Sequence, residues 1–227
     1  MFNRFGKKSK PEPAPTSIRD TLFGDLSLDQ WPNANASALK SEPWLSFVQA
    51  RDALNKGKKA DAIQHWQRIT EMPSLEPRHY VQAWHFLRQN GVKPPPDKAR
   101  TVYGVVVEVA MPNGVDLLAA YPDHSARYYN YSGAGVVWVH PNNSLDGAID
   151  TVLDAGRKLV VLIGPWEGAR PTVLGKGQAR LSMLTPIGLH FGQGDFLALS
   201  QDPKGGALVS AATQLMVALT ELAQKPK

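Results

Sequence analysis

The chain has 227 residues, 43% hydrophobic and 20% charged, which is enough apolar material for one large domain or two small ones. It has no cysteine, which excludes disulfides, cysteine-ligated zinc and a cysteine nucleophile. The net charge of +5 belongs to the first 100 residues, which carry sixteen Lys and Arg against ten Asp and Glu, while residues 101–227 carry nine against ten. A nucleic-acid surface calls for a basic stripe on the folded part, so nucleic acid is a disfavoured partner.

Residues 1–20 are basic, Pro-rich and poor in aliphatics, a composition that predicts disorder. The opening MFNRFGKKSKPEPAP has no apolar h-region, so no secretory signal is expected. Leu22, Phe23, Leu26, Leu28 and Trp31 then follow closely, too apolar for a linker. They read as an arm that docks on the body or on a partner, which makes residues 1–42 a tail and docking arm.

A helix is predicted from about Pro43, a good first-turn residue, with Trp44, Phe47, Val48, Ala50 and Leu54 near the 3.6-residue period. Asn55 and Gly57 stop it. A second helix runs from about Lys59 to Glu71, with Ala62, Ile63, Trp66 and Ile69 on one stripe. A third runs from about Pro77 to Gln89, with Tyr80, Val81, Trp84 and Leu87 on one face and Asn90-Gly91 as its stop. Pro94-Pro95-Pro96 is a stiff boundary, so residues 43–96 form the helical segment.

Residues 97–227 change texture. TVYGVVVEVAM and VDLLAAY read as strands around Asn113-Gly114, with Pro112 suggesting more than a two-residue loop. ARYYNYSGAGVVWVH reads as two more strands. Ser144 looks like the N-cap of a helix LDGAIDTVLDA closed by Gly156, and KLVVLIG reads as a short buried strand. ARLSMLT and IGLHFGQ form another pair, and a last helix spans about Gly206 to Gln224. Strand runs with helices set apart predict an α+β fold with a mostly antiparallel sheet and two helices, and exclude strict βαβ alternation. No apolar run is read as reaching the roughly 20 residues that span a bilayer, so no membrane insertion and a cytoplasmic location are expected.

Gly57, Ala62, Ile63, Trp66 and Pro73, with Lys59 where an aromatic is usual, resemble the turn and second helix of a tetratricopeptide repeat. Ala83, Trp84, Leu87 and Gly91 resemble the first helix of a following repeat. The resemblance covers about residues 44–92, one and a half repeats, and the remainder is an α+β domain of no recognised type. It implies protein or peptide binding. A free-standing solenoid needs three or more repeats, so the helices are expected to pack on the C-terminal domain.

Glu108 lies inside an apolar strand, where a lone carboxylate needs a partner or must stay protonated; it either faces solvent on an edge strand or is satisfied by an arginine such as Arg127 or Arg180. Arg127, Tyr129 and Tyr131 alternate on one strand face, Trp138 and His140 on the next; if the faces coincide, they make an aromatic and cationic patch. The loop from Gly164 to Pro171 offers Trp166, Glu167 and Arg170 as binding residues, on a covering loop or a partner site. The six histidines are scattered, with no i, i+4 pair about a carboxylate, so no metal and no cofactor are expected. His190 and Asp195 could pair as base and orienter. Gly175-Lys176-Gly177 lacks P-loop spacing, and no serine sits in a nucleophile elbow. The expected function is a non-enzymatic adaptor with a protein partner. A small-molecule or nucleotide binder, possibly enzymatic, with a pocket where Glu108, Glu167, Arg170 and His190 converge comes second. Nucleic-acid binding comes third.

Overall fold

The computed structural model describes residues 17–224. Disorder expected over residues 1–16 therefore lies outside the described residues, whereas residues 17–20 are ordered against the body. Three helices come first: α1 (Trp44–Asn55), α2 (Lys59–Glu71) and α3 (Pro77–Gln89). Glu42 helps to start α1, its Oε2 accepting the Ser46 N–H at 3.2 Å. Gly57, at φ +74°, lets the Lys58 N–H reach back to the Ala53 carbonyl at 2.9 Å; Gly91 does the same after α3. The helices bury Phe47, Ala50, Ala62, Trp66, Ala83 and Phe86 against one another, with Leu28 and Trp31 of the arm packed alongside.

Six strands follow: β1 (Gly104–Met111), β2 (Gly114–Ala120), β3 (Ala126–Tyr129), β4 (Gly135–Trp138), β5 (Gln178–Thr185) and β6 (Gly188–Asp195). They form one sheet in the order β4-β3-β2-β1-β5-β6, and every neighbouring pair is antiparallel. Alternation along the strands gives the sheet two apolar faces. Val105, Val107, Leu118, Leu181 and Met183 face α4 (Asp146–Val160) and α6 (Gly206–Gln224). Val106, Leu117, Ala119 and Leu184 face Leu22 and Phe23 of the arm and Val81 of α3. The fold is thus α+β, with the sheet between the arm and α3 on one side and α4 and α6 on the other.

Gln82, wholly buried on α3, holds the arm like a missing strand: its Oε1 accepts the Leu26 N–H at 3.0 Å and its Nε2 donates to the Leu26 carbonyl at 2.9 Å. Tyr121 Oη donates to the Leu22 carbonyl at 2.8 Å.

Five expectations are corrected. KLVVLIG is no strand: α4 runs through Gly156 to Val160, because Leu159 and Val160 continue the apolar stripe of Ile149, Val152 and Leu153. Gly156 closes nothing; it sits where a Cβ would fall 2.6 Å from Val105 Cγ2, so its smallness lets α4 lie close on β1. Ser144 does not cap α4, whose cap position is Leu145. The β1–β2 loop is only Pro112-Asn113, since Met111 pairs with Gly114. A short helix α5 (Phe196–Gln201) was not foreseen. Finally, α6 has 19 residues and a mean hydropathy of 1.4, long and apolar enough to cross a membrane by length and composition, against the expectation that no run approaches that. Here it packs Leu208, Leu215 and Leu219 into the core.

Candidate functional site

Glu108 projects from β1 to the arm side of the sheet and is 1% exposed. Arg180 lies directly opposite on β5 and donates Nη1 to Glu108 Oε2 at 2.9 Å. Arg19 of the arm donates Nε to Oε1 at 2.6 Å. Both guanidiniums also donate to the Pro171 carbonyl, each at 2.8 Å. Of the two partners named from sequence Arg180 is the one, and Arg19 was missed because it lies 89 residues away in a stretch expected to be disordered. The group ties arm, sheet and loop into one buried cluster, an arrangement that suits holding rather than proton transfer.

The Gly164–Pro171 loop belongs to the same cluster. Arg170 bonds Asp25 Oδ2 at 2.6 Å and Asp20 Oδ1 at 2.8 Å, and its guanidinium lies 4.1 Å over the Phe23 ring. Glu167 is not its partner and is exposed. Trp166 donates its backbone N–H to the Leu189 carbonyl at 2.6 Å and its indole N–H to the Ala169 carbonyl at 2.9 Å. Its ring meets Phe191 edge-on at 5.2 Å. The loop therefore covers the Leu189–Phe191 part of the β6 edge, leaving the indole half-exposed.

The two halves of the expected aromatic patch lie on opposite faces. Arg127 pairs with Val137 and Ala126 with Trp138, so the turn places Trp138 on the α6 side beside Tyr128, away from Arg127 and Tyr129. Arg127 approaches Glu76 at 3.7 Å, and Tyr129 is half-buried against the arm-side core. Tyr131 is 51% exposed beyond the end of β3. Tyr129 and the Trp166 loop are separated by four strand spacings, about 19 Å.

His190 shares a face with Met183, the side opposite Glu108, so the sheet separates two groups expected to converge. Its Nδ1 lies 3.0 Å from the Ile163 carbonyl, and burial lowers its pKa below the usual imidazole value. Asp195 caps α5, accepting the Ala198 N–H at 3.1 Å, and does not orient His190. A cavity of about 190 Å³ lies on the α6 side, lined by Val107, Val109, Tyr128, Phe196, Val209 and Met216. At its edge Tyr128 Oη donates to Asp116 Oδ2 at 2.8 Å, and burial together with the neighbouring carboxylate pushes the Tyr128 pKa up to about 12.

The remaining sheet edge is β4. It pairs with β3 alone, and the stretch Ser132 to Val139 contains no charged residue and no proline. Val137 and Val139 share one face and are 54% and 56% exposed. Natural edges are commonly protected by lysine, proline or a covering segment; the Leu189 end of β6 has such a cover, while among the described residues β4 has none. Sequence reading saw β4 as a strand but not as an edge, which only the pairing order reveals. Among the described residues, His124, His140 and Asp146 are the group that could hold a metal ion. Comparison with known protein families, with curated proteins and with solved structures finds no match.

Proposed function

We propose that the protein is a non-enzymatic protein-interaction module that receives an extended segment of a partner protein along the β4 edge. The observation behind this reading is the contrast between the two sheet edges. One is covered at its Leu189 end by the Trp166 loop; the other, among the described residues, pairs only with β3 and is flanked by exposed Val137 and Val139. Strand addition takes affinity from main-chain hydrogen bonds and selectivity from alternate side chains. A partner segment carrying β-branched residues at alternate positions fits Val137 and Val139.

The tetratricopeptide likeness of residues 44–92 enters the same reading in a restricted form. Ala50, Ala62 and Ala83 are buried between helices, as closely approaching repeat helices require. Arm residues Leu28 and Trp31 already pack on these helices. We therefore give the helices a bracing role and place the docking role on β4. A cysteine-free chain suits the reducing cytoplasm, where we place the protein.

A second reading, a site for a small apolar ligand, draws on the cavity beside α6. Its volume of about 190 Å³ falls short of the roughly 300 Å³ at which ligand pockets begin, which ranks it second. Nucleic-acid binding has the net charge of the first 100 residues behind it, but Arg127 faces Glu76 and Tyr129 is half-buried.

A photo-crosslinking residue placed at Val139 in the native cell tests the proposal. The expected result is one discrete adduct with another protein, lost when Val137→Lys is added and absent when the crosslinker is at Lys176. No adduct, a pattern indifferent to Val137→Lys, or capture of a second copy alone would overturn it.

A further inference from the structure

His124 stands in the turn between β2 and β3, His140 just after β4, and Asp146 and Asp150 one turn apart at the start of α4. Three separate elements within residues 124–150 thus bring their donors to one end of the sheet. One ligand atom each from His124, His140 and Asp146 all lie within 4.8 Å of one another. His140 Nε2 is 3.0 Å from Asp146 Oδ1, and His124 Nδ1 is 3.7 Å from Asp146 Oδ2. Donors around a tetrahedral zinc with bonds of about 2.0 Å stand roughly 3.3 Å apart. The two His–Asp separations, each to a different oxygen of Asp146 and the shorter now a direct hydrogen bond, lie on either side of that value. An entering ion would draw in the remaining donor pair from within 4.8 Å.

The outer contacts fit the same arrangement. His124 Nε2 lies 3.2 Å from Asp150 Oδ1. A proton on Nε2, donated to Asp150, fixes the tautomer that leaves Nδ1 bare and turned to Asp146. That is the usual carboxylate support of a metal-bound imidazole. The two imidazole centroids lie 5.3 Å apart, with planes 9° apart. His124 takes a left-handed backbone, φ +56°, uncommon for a residue other than glycine.

We propose that His124, His140 and Asp146 form a binding site for a divalent transition-metal ion of the zinc class, with Asp150 as the outer carboxylate that orients His124. Two imidazoles and a carboxylate are a borderline donor set that selects zinc-like ions over calcium or magnesium, which require oxygen cages. Three protein ligands leave a fourth position for water. The ion joins the β2–β3 turn, the exit of β4 and the start of α4. Sequence spacing gave no signal for it, because the i, i+4 rule for helix-borne sites does not cover ligands gathered from separate turns.

The test is calorimetric titration of the full chain with zinc chloride at neutral pH, together with the visible spectrum of the cobalt(II) form. Expected are one saturable site per chain, binding lost in His140→Ala and in Asp146→Asn, and binding retained in His65→Ala. Asp150→Asn weakens it by about 10- to 100-fold. Absence of a saturable site, or a site unchanged by His140→Ala and Asp146→Asn, overturns the proposal. If those variants fail to fold, the wild-type cobalt spectrum decides: intense bands of a tetrahedral site support the assignment, and the weak spectrum of the hydrated ion refutes it.

Discussion

Removing the Glu108 side chain leaves Arg180, wholly buried, and Arg19, partly so, without their carboxylate. Breaking a buried pair by deleting one partner costs about 3–5 kcal/mol, because the remaining charge stays out of water. Glu108→Ala is therefore expected to lower the unfolding free energy by that amount in urea denaturation. Arg19→Ala costs less, since the Arg19 side chain keeps 18% exposure and Arg180 still satisfies Glu108. An unchanged midpoint in Glu108→Ala would show that the cluster does not hold the fold together.

On the scale of elements, α4 and β1 make a close join. A Cβ on Gly156 would fall 2.6 Å from Val105 Cγ2 and 3.3 Å from Met183 Cγ. Val105 is β-branched and cannot turn its methyl aside. Alanine favours helices over glycine by about 1 kcal/mol, but overpacking costs typically about 1–3 kcal/mol. Gly156→Ala is thus expected to lower the melting temperature by a few degrees; a raised one would show that α4 can move off the sheet. The same residue explains a limit of sequence reading. Periodicity located α1 to α3 and the six strands, because their apolar residues repeat at helix or strand spacing. Gly156 looked like a stop, since its packing partner, Val105, is distant in the chain. The buried pairing of Glu108 with Arg180 was readable as a demand for charge, but the choice between arginines followed only from register. The face of Trp138 and the exposed edge of β4 depended likewise on loop parity and strand order, which no local pattern encodes.

Across the whole molecule, the arm, α1 and α3 meet around His79. Its ring is 6% exposed, 4.8 Å from the Trp44 ring and 6.0 Å from that of Trp31. Burial lowers its pKa to about 4, outweighing the raising influence of Glu76. The unfolded chain therefore takes up a proton near pH 6.5, whereas the folded one does not until about pH 4. Stability is full above the unfolded value, falls as pH drops between the two, and levels off below the lower one. The loss amounts to at most about 3 kcal/mol. Urea denaturation between pH 7 and pH 4.5 is expected to show this slope in wild type and a shallower one in His79→Phe. Superimposable slopes would sink the assignment to His79.

The placement of the arm also sets an order in time. Asp20 meets Arg170 across 150 residues of chain, and at about 5–20 residues per second of synthesis these contacts wait roughly 8–30 s after Asp20 is made. The helices α1 to α3 can form from neighbouring contacts during that interval, while Leu22 and Phe23 have no sheet to cover. A nascent chain thus carries its arm undocked until the Trp166 loop and β5 emerge. During that window, Leu22 and Phe23 are open to chaperones and proteases from which the finished protein buries them.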